Sequence, residues 1–295
     1  MQIENKAVNC LFHILLIIMA LICIFPVILV ISISFTDQAA ISRFGYQIIP
    51  SVFSLDAYKF IINANMGIGN AYIVTILATI AGTVLSVSVI SLYAYPLSRP
   101  GLKGRSFFTF YIFFTMLFSG GLIAWYMTAT KILHLSNKFL ALVLPLSMNA
   151  WYVIIMRTFF QSSIPVSLIE SAKLDGAGEF KILFKIVLPL AVPGIATISL
   201  FQTLAYWNDW WYPMLLITEP KLYNLQFLLQ VMMKNIQLMS EGNLSPEFIE
   251  QMGGNIPEES VRMALCVLAM GPILIVYPFF QKYFIQGLTV GAVKG

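Results

Sequence analysis

Residues 165–189 read PVSLIESAKLDGAGEFKILFKIVLP, the one charge-dense stretch in a chain that otherwise avoids charge. Pro165 suits the first position of a helix, and Leu168, Ile169 and Ala172 then form a narrow apolar stripe in which small Ala172 allows close approach. Asp175-Gly176-Ala177-Gly178 ends that helix, because Gly176 and Gly178 can take the positive φ that other residues resist. A second helix opens at Glu179, whose carboxylate suits the positive end of a helix, and Pro189 falls inside the apolar run that follows. A helix of about ten residues is unstable by itself. Packing has to hold it, and a partner protein is the candidate support.

The surroundings of this stretch are apolar. The chain has 295 residues, 59% of them hydrophobic and 10% charged, against roughly 25% charged in soluble domains. Six segments free of Asp, Glu, Lys and Arg are long enough to cross a bilayer: about 10–35, 71–95, 106–130, 139–156, 186–208 and 263–281. All charges fall between them, as an insertion cost of roughly 2.5 to 3.5 kcal/mol per central charge requires. The first run, Cys10 to Phe35, is longer than a signal-peptide core and no small-x-small cleavage pattern follows it, so it reads as a retained span.

Basic residues set the expected orientation. With the amino terminus inside, Lys6, Arg99, Lys103, Arg105, Arg157, Lys173, Lys181, Lys185, Lys282 and Lys294 are cytoplasmic, ten of the 17 Lys and Arg. The loop 98–105 has three bases and no acid. The segment from Glu219 to Arg262 carries six acids against three bases and reads as outer. Both termini are therefore expected in the cytoplasm.

Residues 165–189 resemble the EAA loop of the permease subunits of binding-protein-dependent ABC importers. The matching residues are Glu170-Ser171-Ala172, with Ser at the middle position, then Gly176, then Ile186-Val187-Leu188-Pro189. The carboxyl-terminal series, with Gly287-Leu288-Thr289 and Gly291-Ala292-Val293-Lys294-Gly295, looks like that of maltose-transporter-type permeases, in the carbohydrate branch. The resemblance implies an all-α integral membrane protein of the type I importer permease fold. It has six transmembrane helices and a cytoplasmic coupling helix between the fourth and fifth.

The organisation it implies is an N-terminal span and outer loop over 1–70, a core transmembrane domain over 71–281 with the coupling loop at 161–185, and a cytoplasmic tail over 282–295. Glu170, Ser171, Ala172, Asp175 and Gly176 would dock on the ATPase subunit. Gly287, Thr289, Gly291 and Lys294 would reach the ATPase dimer interface. The implied partners are a second, related permease, an ABC ATPase dimer, an extracytoplasmic solute-binding protein and a carbohydrate. The implied place is the cell membrane. An ordinary amphipathic turn between two spans is the plainer reading of the loop.

Further residues are candidates for the substrate path. Ser199, Gln202, Tyr206 and Asp209 recur at spacings that put them on one helix face. Tyr206, Trp207, Asn208 and Asp209 stand at the outer end of that span beside Trp210, Trp211 and Tyr212. They read either as an interfacial aromatic belt or as a sugar contact, with ring faces for pyranose C–H groups and Asn and Asp for hydroxyls. Asn149 in the fourth span either bonds across helices or faces a wet path. Ser119-Gly120-Gly121 in the third can loosen the helix or let a neighbour approach closely, and packing is the expected use. An outer helix is expected over about Asn224 to Asn235, followed by an acidic loop from Ser240 to Ser260.

Other classes are excluded or disfavoured. No Gly-x-x-x-x-Gly-Lys-Ser/Thr occurs, so this chain does not bind ATP by that route, and ATP and Mg are assigned to the ATPase subunits. Two histidines in different segments and three cysteines without ligand spacing make no metal site. A membrane enzyme needs a polar catalytic cluster, and none is seen. The remaining alternative, an ion-coupled secondary transporter, needs ionisable groups near the bilayer centre or internal repeats, and neither is found.

Overall fold

The computed structural model describes residues 6–63, 67–240 and 258–292. From the amino end run α1 (Lys6–Ser34), α2 (Gln38–Phe44), α3 (Asp56–Asn63), α4 (Ile68–Ser98), α5 (Arg105–Leu117), α6 (Gly121–Met127) and α7 (Leu140–Val143). There follow α8 (Ala150–Ser163), α9 (Val166–Leu174), α10 (Glu179–Ile182), α11 (Leu188–Leu190), α12 (Val192–Trp207), α13 (Trp211–Leu216), α14 (Leu225–Ser240) and α15 (Glu258–Ala292). Among the described residues the β pairing is a single isolated bridge, Thr36 with Phe53. The fold is all-helical.

Contacts divide the chain into two compact units, Met1–Ile68 with Leu229–Pro272, and Gly69–Leu228 with Ile273–Gly295. In the first unit Asp37 caps α2 through the amides of Ala39 and Ala40. Gln38 Oε1 accepts from the amides of Glu259 and Ser260, so one side chain of α2 satisfies the open amino end of α15. The Phe35 ring stacks on Phe53 and Tyr58 at 5.6 and 5.0 Å. In α1 the apolar side chains between Leu11 and Ile31 are largely exposed, so lipid or another chain must cover them.

The core of the second unit is built from Ile90 and Ala94 of α4, Val153, Met156 and Phe160 of α8, Ile169 and Ala172 of α9, Ile182 of α10 and Ile198 of α12. Glycine makes two approaches here close. A Cβ on Gly194 of α12 would lie 2.7 Å from the Phe159 ring of α8, and one on Gly82 of α4 would lie 2.4 Å from the Tyr206 ring.

The structure corrects several sequence readings. Residues 106–130 are not one helix: α5 and the segment Gly121–Ile132 meet at 112°. Gly121 has φ 79°, and nothing lies within 4 Å of where its Cβ would be. This glycine breaks the helix, the other of its two readings, and does not serve the packing expected of it. Residues 139–156 are interrupted after Val143, and α8 begins at Ala150 with Asn149 accepting from the Trp151 amide at 2.9 Å.

The apolar run 186–208 is likewise broken. Glu179–Leu190 and α12 meet at 80°, so Ile186–Pro189 continue the helix of Glu179 instead of opening the crossing. Pro189 has no amide hydrogen for the Lys185 carbonyl. The wide π turn Leu183–Val187 lies immediately before it, and Pro193 sits in the first turn of α12. Finally, Gly178 has φ −72° and not the expected positive value, and Leu168 is exposed instead of packed.

Two expectations hold. Individually long, apolar helices do occur at Asn9–Ser34 and Ile68–Ser98, and α14 occupies the segment read as an outer helix. The last apolar segment runs without interruption to Ala292, past the end of the expected span. The acidic loop after Ser240 lies mostly outside the described residues, as does Lys294.

Candidate functional site

Two backbone hydrogen bonds shape the turn after α9. The Gly176 amide donates to the Lys173 carbonyl at 3.0 Å and the Ala177 amide to the Ala172 carbonyl at 2.9 Å. This pair is the Schellman arrangement, which needs a left-handed residue where Gly176 stands with φ 79°. Ala177 packs against the same cluster as Ala172, giving the turn its apolar contact. Pro165 precedes the first helical residue as the cap.

α9 turns at 77° from α8. Its inner face, Ile169 and Ala172, is embedded in the core it shares with α4, α8 and α12. Glu170, Ser171, Asp175 and Gly176 are all exposed, so four of the five expected docking residues stand together on the free side, and Ala172 faces inward. Beside them Leu174 is 89% exposed and Phe180 74%. Exposed apolar side chains of this size around a charged turn mark a surface that a partner covers. The sequence reading missed both. Their signal was two large apolar residues within six positions bracketing a double-Gly turn.

Glu179 ties this loop to α4. Lys173 Nζ lies 2.6 Å from one carboxylate oxygen, and the Tyr95 hydroxyl donates to the other at 2.6 Å. The Arg99 guanidinium lies 4.6 Å from the Tyr95 ring centre, a cation–π contact. The end of α4 is held too: Arg157 Nε donates to the Leu97 carbonyl at 3.2 Å. Between the 95–102 segment and α9 lies a cavity of about 620 Å³, with Tyr95, Arg99, Glu170, Lys173 and Glu179 in its wall.

The bonds to Lys173 and then Tyr95 hold the Glu179 carboxyl below its ordinary value of 4.5. A depressed carboxylate stabilises the fold at pH above its unfolded value and loses that contribution as pH falls through the depressed one. Glu179→Gln is therefore expected to lower the thermal midpoint of the purified protein at neutral pH by an amount that begins to shrink as pH falls below the ordinary 4.5 and is gone once the pH is below the depressed value. A pH-independent difference between the two proteins would refute this role.

The substrate-path candidates separate into two groups. Gln202, Tyr206 and Trp207 are buried within the chain. The Tyr206 hydroxyl donates to the Val143 carbonyl at 2.7 Å, and Thr83 of α4 meets Thr203 of α12 at 3.3 Å. Thus Gln202 and Tyr206 do share a face, and that face is turned inward. Asp209 accepts from the amides of Trp211 and Tyr212 at 3.1 and 3.2 Å and so caps α13.

Asn208 is exposed and donates to the Leu204 carbonyl at 2.9 Å. Asn149, exposed as well, is committed to its cap. The exposed ring faces at this end belong instead to Trp210 and Trp211, which meet edge to face at 5.7 Å. Among the described residues no group of three or more His, Cys, Asp or Glu is placed to hold a metal.

Residues 87–290 match the family model for the binding-protein-dependent transport system inner membrane component. The polygalacturonan/rhamnogalacturonan transport system permease protein YtcP of Bacillus subtilis is 40% identical over 99% of this chain and 100% of its own length. The trehalose/maltose transport system permease protein MalG of Thermococcus litoralis is 29% identical over 95% and 94%. Among solved structures, a chain of a bacterial ABC transporter that imports the acidic polysaccharide alginate superposes with a TM-score of 0.80. It is 32% identical, covering 96% of this chain and 99% of that one.

Proposed function

The chain belongs to the family of binding-protein-dependent transport system inner membrane components, and from that premise we propose that it is a permease subunit of an ATP-driven oligosaccharide importer, coupled to its motor through α9. The observation that carries the coupling role is the two-sidedness of α9. One face is fixed in the core with α4, α8 and α12, and the other offers Glu170 and Ser171 beside bare Leu174 and Phe180. A push on the outer face is therefore delivered to the core helices.

In this reading ATP and Mg sit on separate ATPase subunits, which grip the Glu170–Phe180 surface, and both termini and this loop are cytoplasmic. The six crossings of this reading are α1, α4, α5 with α6, α8, α12 and α15, with α9 left outside the bilayer. Gly287, Thr289, Gly291 and Lys294 at the end of the chain take the second contact with the ATPase dimer. A second permease completes the path, and a solute-binding protein delivers the sugar. In this reading Gln202 and Tyr206 back the wall of the path, and a pyranose would be met by Asn208, Trp210 and Trp211, with Asn149 through the amide NH2 that its cap leaves free; what supports this is their exposure.

The test is uptake of a labelled pectic oligosaccharide into proteoliposomes carrying the chain with its neighbouring permease, ATPase and binding protein. Uptake is expected to require ATP and every subunit. Transport by the chain alone, driven by an ion gradient without nucleotide, would sink the proposal.

A further inference from the structure

α5 and α8 pack side by side, and a groove of about 610 Å³ lies along them. Its wall begins at Arg105 on α5 and Arg157 on α8 and continues over Phe110, Phe113, Ile154 and Trp151. Both arginines line this one groove, one from each helix. Among the described residues neither forms an ion pair with a carboxylate. The sequence explains why: no Asp or Glu occurs between Asp56 and Glu170. Arg157 spends its Nε on the Leu97 carbonyl, which fixes the guanidinium and leaves its remaining N–H groups for another acceptor.

Two like charges lining one apolar groove favour an anion between them. Guanidinium groups suit phosphate oxygens in paired geometry. The apolar part of the groove extends from that charged end along two helices of the membrane domain, as far as Phe113 and Trp151. A free anion leaves those faces bare, whereas a lipid fills both parts. We propose that this groove is a site for an anionic phospholipid, with its phosphodiester between Arg105 and Arg157 and its acyl chains along Phe110, Phe113, Trp151 and Ile154. The inference rests on the membrane reading of the chain and is independent of what the transporter carries or how it is driven.

Trp151 lies in the groove and reports on it. The assembled transporter in nanodiscs is titrated with acyl-brominated phosphatidylglycerol or phosphatidylcholine, and quenching is compared with that of Trp151→Phe to isolate the Trp151 signal. Phosphatidylglycerol is expected to half-quench that signal at a mole fraction about tenfold lower than phosphatidylcholine does. Arg105→Gln with Arg157→Gln should bring the two curves together. Arg105→Gln alone, which leaves the Leu97 bond intact, should remove most of the preference should the double variant fail to fold.

Equal quenching by both lipids overturns the proposal, including the case in which another protein chain shields Trp151 from each. So does a preference that survives in Arg105→Gln. Loss of the preference in millimolar inorganic phosphate would assign the site to free anions and overturn the lipid.

Discussion

Gly176→Val is expected to abolish substrate-stimulated ATP hydrolysis in the reconstituted transporter while the complex still assembles. At φ 79° the backbone of residue 176 is in the left-handed region, and nothing lies within 4 Å of the place a Cβ would take. The penalty therefore comes from conformation alone, on the order of 1–2 kcal/mol and more for a β-branched side chain. The cheapest relief is to leave the left-handed region, which breaks the Gly176–Lys173 and Ala177–Ala172 bonds together. Leu174 and Phe180, on either side of the turn, then lose their relative placement, while the core face at Ile169 has its own packing to hold it. Gly176→Asn should retain most of the stimulation because Asn tolerates this region, with Gly176→Ala between Asn and Val. Stimulation unchanged in the Val variant would show that the turn does not transmit.

The order Asn, Ala, Val also separates this account from a steric one. Were crowding the cause, Ala would be the mildest change, since it adds the fewest atoms. The open space around Gly176 argues against crowding, and the measurement decides between the two.

The turn was legible in the sequence because its cause is local: a short charged helix, a glycine after it, and a carboxylate opening the next. Leu174 and Phe180 were not, since an exposed apolar residue looks like any other until its burial is known. Glu179 shows the same limit from another side. Its place at a helix start was readable, but its bonds to Lys173 and to Tyr95, 84 residues earlier, are made by the fold. Hydropathy counted apolar residues across 106–130 and 186–208 and so passed over the breaks. At Gly121 and at Pro189 with Pro193, backbone rules override the apolar pattern. Periodicity put Gln202 and Tyr206 on one face correctly. It carries no information on which neighbour that face meets, and for Tyr206 the neighbours are α4 and α7 of the same chain. Asn149, followed by Trp151 at a helix start, carried an N-cap signature that its apolar surroundings obscured.

Gly82→Ala is expected to be the most destabilising glycine-to-alanine change among the described residues. The new Cβ would stand 2.4 Å from Cε1 and Cζ of Tyr206 and 2.7 Å from Cε2, where carbon atoms need about 3.5 Å or more. The ring has little freedom to yield. It is 2% exposed and its hydroxyl is bonded to the Val143 carbonyl, so moving it costs packing and a buried hydrogen bond together. Overpacking of this kind costs about 1–3 kcal/mol, and a lost partner for a buried carbonyl about 1–3 kcal/mol more.

Tyr206→Leu removes the obstructing atoms at its own cost, so Gly82→Ala made in that background should be nearly neutral. The coupling between the two sites would then equal nearly the whole cost of Gly82→Ala, about 2–6 kcal/mol, in thermal unfolding of the detergent-purified complex. Tyr206→Phe keeps the ring and loses only the hydroxyl, and in that background the clash should return in nearly full size. An equal cost for Gly82→Ala in all three backgrounds would mean that α4 and α12 are not held apart by this ring.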